Sequence, residues 1–123
     1  MSSIEVAVDG MTTCTTSSAK LSADTNQTGS WQEVSFTVVQ GTKISVDGKK
    51  VETSATASWS YVGGSTPTGP LPPVPDSAAL NGSSTKLKDN GVAILRKGDK
   101  ATGIADSGNY IEVGSGQTKL KSV

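Results

Sequence analysis

The segment from Val51 to Tyr61 alternates between two kinds of residue with a period of two. One set of alternate positions is mostly apolar and the other carries Glu, Ser and Thr; the first set is Val51, Thr53, Ala55, Ala57, Trp59 and Tyr61. Successive side chains of a strand point to opposite faces of a sheet, so this pattern predicts a half-buried β-strand. The same period predicts two further strands, whose inward residues are Ile4, Val6 and Val8 in one and Val34, Phe36 and Val38 in the other.

Turn-forming residues separate the alternating segments. Asp47-Gly48 and Asn90-Gly91 are the dipeptides that type I′ hairpin turns prefer, because these residues tolerate a positive φ. Apolar residues show no 3.6-residue period, which excludes long amphipathic helices. We therefore predict an all-β fold, a small single domain of short strands and hairpins over residues 1–123. Two short helical turns are expected, one around Ala19-Lys20-Leu21 and one that Asp76 caps and that runs to Leu80.

All five prolines lie between Gly63 and Pro75. Proline cannot donate to a strand ladder, so this segment cannot form a central strand and is expected to be extended. An interdomain linker and a PxxP ligand for a recognition module are alternative interpretations. We favour an ordered crossing within one domain, because the flanking halves are short for separate domains.

The chain has no histidine and one cysteine, Cys14. These counts exclude the common nucleophile–histidine arrangements and the usual Cys/His zinc sites. No spacing supports a carboxylate pair or a Ser-Lys dyad, so we predict no enzyme activity, no catalytic residue, no cofactor and no metal site. The remaining candidates for a hard cation are carboxylates in turns, which are usually only solvated: Asp9, Asp89, Asp99 and Asp106.

The charges balance, with eleven basic and eleven acidic residues and a pI near 6.2. This balance argues against nucleic acid as a partner. No apolar segment is long enough to span a bilayer, and residues 1–6 lack the features of a secretory signal. We therefore expect synthesis in the cytoplasm, no stable membrane insertion and export, if any, by another route.

A short sequence recurs three times, as Thr42-Lys43-Ile44, Thr85-Lys86-Leu87 and Thr118-Lys119-Leu120. In the first two copies a turn of Asp or Asn with Gly follows. Each of these copies predicts a tight hairpin whose third residue faces inward. The alternative is that the three segments are ordinary strands with no symmetric relation.

The second half resembles the PAAR-like family, small proteins at the spike tips of contractile injection machines. The resemblance rests on the Pro-rich residues Thr66–Pro75 and on the strand–turn–strand and Gly-Asp step of Ser84–Thr102, with a similar unit at Gly41–Val51. These machines include type VI secretion systems, contractile phage tails with their baseplates, and extracellular injection particles. Typical members carry zinc held by His and Cys near the tip, and this chain lacks those ligands.

The resemblance implies a cone-like structural protein that caps a homotrimeric β-helical spike and helps to pierce a target envelope. We expect one copy per trimer, bound through strand edges near Thr42–Val46, Thr85–Lys88 and Thr118–Lys121, and delivered outward on contraction. The machine involved and the attachment of effectors stay open. The alternative function is a small β-rich module that recognises carbohydrate or a host surface, which would favour clustered exposed aromatic residues. Leu87→Asp is expected to be the most damaging single change, and Gly91→Val to destabilise the second hairpin.

Overall fold

The computed structural model describes residues 3–104 and 107–123, and within them it contains strands but no helix. The strands pair into several small antiparallel sheets, which confirms the all-β prediction. The same residues contain no helix long and apolar enough to cross a membrane. The twelve strands are β1 (Ile4–Glu5), β2 (Thr12–Thr15), β3 (Ser30–Val46), β4 (Lys49–Val62), β5 (Ser65–Thr66), β6 (Gly69–Pro70), β7 (Val74–Asn81), β8 (Lys88–Asp89), β9 (Val92–Ala93), β10 (Lys100–Thr102), β11 (Tyr110–Val113) and β12 (Lys121–Ser122).

The main sheet has the order β3–β4–β7, with the alternating segment in the central strand. Every residue of its predicted inner face is buried, from Val51 at 0% exposure to Tyr61 at 1%. The turn between β3 and β4 is formed by Asp47 (φ 51°) and Gly48 (φ 82°), as predicted for a type I′ turn. Strand alternation and turn chemistry therefore fix the longest hairpin of the molecule.

The Pro-rich segment supplies an edge of this sheet. It first forms the small β5–β6 hairpin and then enters β7 at Val74, with Pro75 opposite Ser60. An edge strand tolerates proline because its outward N–H has no ladder partner. The predicted helical turn from Asp76 to Leu80 is wrong, since these residues belong to β7. Within β7 the side chains of Asp76, Ala78 and Leu80 are buried and those between them are exposed, which is the two-residue period of a strand.

A second sheet, β10–β11–β2, and the N-terminal segment complete the core. Val6, Ala7 and Val8 are all buried, so the predicted outward position of Ala7 is wrong. The segment pairs along both edges, since the N–H of Ala7 donates to the carbonyl of Leu95 and its own carbonyl accepts from the N–H of Glu52. All three residues belong to the core cluster, so side chains on both faces of this segment are covered.

Two other expectations fail at the surface. Val34 is 66% exposed, because a β-bulge between Glu33 and Ser35 interrupts the alternation of β3 there. The segment Ala19-Lys20-Leu21 has no helical turn, and the chain turns just after it, where the N–H of Asp24 donates to the carbonyl of Leu21.

Asp24 ties the long polar loop before β3 to the sheet. Its buried carboxylate accepts bonds from the Tyr61 hydroxyl and from the backbone N–H groups of Thr28, Gly29 and Ser65. Burial alone would raise the pKa of Asp24, but these bonds favour the charged form more strongly and lower it.

Candidate partner-binding surface

The three Thr-Lys-(Ile/Leu) segments lie at the end of β3, before β8 and before β12. Their third residues, Ile44, Leu87 and Leu120, are half-buried and pack against the core, as the inward position predicted. Their first two residues are exposed in every copy. The second hairpin also forms as predicted, with Asn90 at φ 52° and Gly91 at φ 82°. Since Leu87 keeps part of its surface in water, a charge there should damage the fold less than one at fully buried Leu95.

The second segment is bonded to the first through Asp89. The Asp89 carboxylate accepts the backbone N–H groups of Thr42 (2.9 Å), Lys43 (2.9 Å) and Ile44 (2.7 Å). Burial raises the pKa of this carboxyl, but the three donors outweigh burial and leave the pKa lowered. Gly41 makes room for the contact, because a Cβ there would lie 2.5 Å from the Asp89 carboxylate.

The third segment is bonded to the second in a corresponding way. The carbonyl of Val123 accepts the N–H groups of Thr85 (2.6 Å) and Lys86 (3.3 Å), and the Ser122 hydroxyl oxygen accepts that of Leu87 (3.1 Å). Asp89 and Ser122 occupy the same position in their copies, four residues after the threonine. The Ser122 oxygen thus accepts the Leu87 amide as Asp89 accepts that of Ile44, while the other two amides of the second segment are bonded by Val123.

The junction between the first and third segments is different. The matching position of the first copy is the apolar Val46, and the amides of Lys119 and Leu120 are bonded instead by the Gln117 side-chain oxygen, both at 2.8 Å. The first hairpin reaches the third segment through Asp47, which forms an exposed salt bridge of 2.9 Å with Lys119. A cavity of about 320 Å³ lies at this junction. The three segments therefore contact one another in a closed series, with one junction unlike the other two.

These bonds change what the segments offer to a partner. Eight of the nine Thr-Lys-(Ile/Leu) amides already have acceptors inside the chain, so they are not free for strand addition as expected from the sequence. The surface formed by the three segments therefore consists of exposed side chains, and the charged ones are basic: Lys43, Lys86, Lys88, Lys119 and Lys121. A partner bound to this surface would contact lysine and threonine side chains.

The structure does not bring together the candidate cation ligands that it describes, Asp9, Asp89 and Asp99. Asp89 binds amides, and Asp99 accepts from the Ser83 hydroxyl and the Arg96 N–H, while Asp9 is exposed. Asp106 lies outside the described residues. Within residues 3–104 and 107–123 no group of three or more metal-ligating side chains is present.

Cys14 is half-buried in β2, opposite Ile111. Burial and the neighbouring Glu33 carboxylate raise the pKa of its thiol to about 11. The thiolate that reacts as a nucleophile is therefore scarce at neutral pH.

The aromatic residues form no exposed cluster, since all five lie in the described part of the chain and are buried or half-buried. Comparison of the chain with protein-family models, with curated proteins and with solved structures gave no match. Sequence reasoning found the three segments but missed the role of Asp89, which was considered only as a cation ligand. Its position within the repeat, matched by Ser122, is the signal that could have indicated it.

Proposed function

We propose that this chain is a spike-tip protein of a contractile injection machine, which caps a homotrimeric spike as a single copy. The closed series of three repeated segments is the observation that carries the proposal. A monomer on a threefold axis meets three equivalent surfaces, and an internal threefold arrangement reduces the mismatch. The resemblance to PAAR-like proteins supplies the identity of the partner.

The contact surface in this proposal consists of side chains at the ends of the three segments. Lys43, Lys86 and Lys119 occupy equivalent positions and are all exposed. Their partner would be a trimer end with acidic or acceptor groups repeated three times. Because the segment amides are bonded internally, the cap keeps its own shape without the partner, which suits a part that must resist force at a tip.

The stoichiometry of the complex tests this function. Native mass spectrometry of the chain mixed with a homotrimeric spike protein of such a machine should give the mass of one trimer plus one copy. Three copies per trimer, or no complex, would contradict the proposal.

A charge reversal locates the surface. Lys86→Glu should weaken the complex by about tenfold or more, because like charges would then face the partner. Lys100→Glu is the matched control, since Lys100 is an exposed lysine of β10 in the other sheet, stacked over Tyr110. Equal loss of binding in both variants would argue against this surface.

A β-rich module that recognises carbohydrate remains the alternative function. Sugar-binding surfaces commonly expose aromatic rings, whereas Trp31, Trp59 and Tyr61 are at most 4% exposed.

A further inference from the structure

One edge of the main sheet lacks a partner. Between Ser30 and Gln40, the side of β3 that faces away from β4 bonds to no other backbone group of the described chain. Further along, Asp89 covers the edge at Thr42–Ile44. Proteins normally protect a long edge with lysine, proline or a covering loop. Here the open part contains neither residue, and Glu33 is its one charge.

Apolar side chains line the open part of the edge. Val39 is 51% exposed, and Phe36 and Val38 are half-buried opposite Ala57 and Ala55 of β4. An added strand would remove both this apolar surface and the free N–H and C=O groups from water. The edge is therefore suited to binding another strand.

The regular part of the edge has defined limits. Register shifts between Glu33 and Ser35 and between Val39 and Gln40 interrupt the ladder on either side. Bulges bend a strand and end regular pairing. Residues 35–39 are left for an incoming strand, and their midpoint is Thr37.

We propose that a second copy of this chain pairs with this edge, antiparallel to β3 and related by a twofold axis through Thr37. An isologous interface requires a self-complementary surface, and the segment meets this requirement. Phe36 would lie opposite Val38 of the second copy, and Val38 opposite its Phe36, on the same face of the sheet. An aromatic side chain opposite a β-branched side chain is a favourable cross-strand pair.

The rest of the register is also compatible. Thr37 lies opposite Thr37 of the second copy, and threonine pairs are favourable on an exposed face. Glu33 falls outside the paired residues, so like charges do not meet. Five residues per strand make a small interface, and the dimer is therefore weak and concentration-dependent. Residues 35–39 do not overlap the three repeated segments, so this pairing uses a surface other than that of the proposed spike contact.

Cysteine crosslinking tests the register. In a Cys14→Ser background, oxidation of Thr37→Cys should give disulfide-linked dimers, because directly opposite residues lie at a distance that a disulfide can bridge. Thr56→Cys is the matched control: Thr56 is exposed and lies opposite Thr37, but in the central strand. Val39→Cys should not crosslink, because it faces Ser35 of the second copy. No crosslinking of Thr37→Cys, or equal crosslinking of all three variants, would overturn the proposal.

Sedimentation of the unmodified chain gives an independent test. The average mass should rise from monomer toward dimer between about 10 μM and 1 mM. Thr37→Lys places two charges at the axis and should weaken the dimer about tenfold or more, whereas Thr56→Lys should leave it unchanged. A circular dichroism spectrum like that of the parent shows that each variant is folded. A monomer throughout this range, or equal effects of the two lysines, would overturn the proposal.

Discussion

β7 and β3 are the two edge strands of the main sheet, but the chain covers them very differently. β7 is short, contains Pro75, and holds the buried Asp76, which bonds the Ile104 N–H and the Asn109 side chain of the neighbouring segment. β3 is seventeen residues long, and among the described residues its outer edge is covered only by Asp89, at Thr42–Ile44. At β3 the carboxylate comes from another segment: Asp89 accepts the edge amides of Thr42–Ile44. At β7 the carboxylate belongs to the strand itself, and Asp76 holds Ile104 and Asn109 of another segment against it.

The largest expected effect comes from removing such a carboxylate. Asp76→Ala should lower the free energy of unfolding by about 2–4 kcal/mol, because it leaves the Ile104 N–H and the Asn109 amide without their acceptor. Glu33→Ala is the matched change on the open edge, where the carboxylate is exposed and the expected loss is below about 0.5 kcal/mol. Urea denaturation of both variants measures the difference. Similar losses would mean that the two edges are not protected differently.

A smaller effect is expected at the hairpin that carries Asp89. Gly91 has a φ of 82°, so Gly91→Val forces a β-branched residue into the left-handed region and should cost about 1–2 kcal/mol. Gly114→Ala is the control, because Gly114 has no such φ and a Cβ there meets only Met11 at an ordinary 3.7 Å.

Hydrogen exchange shows whether the hairpin acts through Asp89. In the Gly91→Val variant, the amides of Thr42–Ile44 should exchange faster, since their acceptor is displaced. If they stay as protected as in the parent chain while stability falls, the hairpin does not position Asp89.

Local chemistry explains which features could be predicted from the sequence. The period of two in β4 and the Asp-Gly and Asn-Gly turns act between near neighbours, and all of these appear in the structure. The prediction of a short helical turn at Asp76 is wrong because pairing of this segment with β4 overrides the local capping preference. The inward position predicted for Val34 is wrong because a β-bulge shifts the side-chain alternation, and no residue type in this part of the sequence indicates the bulge.

The candidate surface was predictable only in part. Repetition of Thr-Lys-(Ile/Leu) indicated three related segments, and their inward third residues follow from the same pattern. The bond from Asp89 to Thr42–Ile44 joins residues more than forty positions apart, and Gly41 permits it by lacking a side chain. Contacts of this kind depend on the tertiary fold and leave no periodic signal.

The smallest effect is expected on mild acidification. The pKa values of Asp76 and Asp89 are raised by burial but lowered more by hydrogen bonds, and both end below the ordinary 3.8. A carboxyl with a lowered folded-state pKa contributes stability that is present above its unfolded pKa and is lost as pH falls through the folded value. The contribution of Glu52 to stability depends on pH in the opposite direction. Burial, the largest cause, raises the pKa of Glu52 above 4.5, so this contribution is fully present in acid and is lost as pH rises through the folded-state pKa. Acid loss should therefore set in as pH approaches the unfolded-state value of 3.8 and continue as pH falls through the lower folded-state values, and it should start at the covered amides. The protection factors of Thr42–Ile44 should fall by up to about tenfold per pH unit there, while those of residues 35–39 that point away from β4 stay near one throughout.

Asp89→Asn should remove the pH dependence at Thr42–Ile44, and Glu33→Gln should not. An equal loss of protection in both variants, or loss that begins well above about pH 5, would show that carboxylate coverage does not distinguish the two parts of β3.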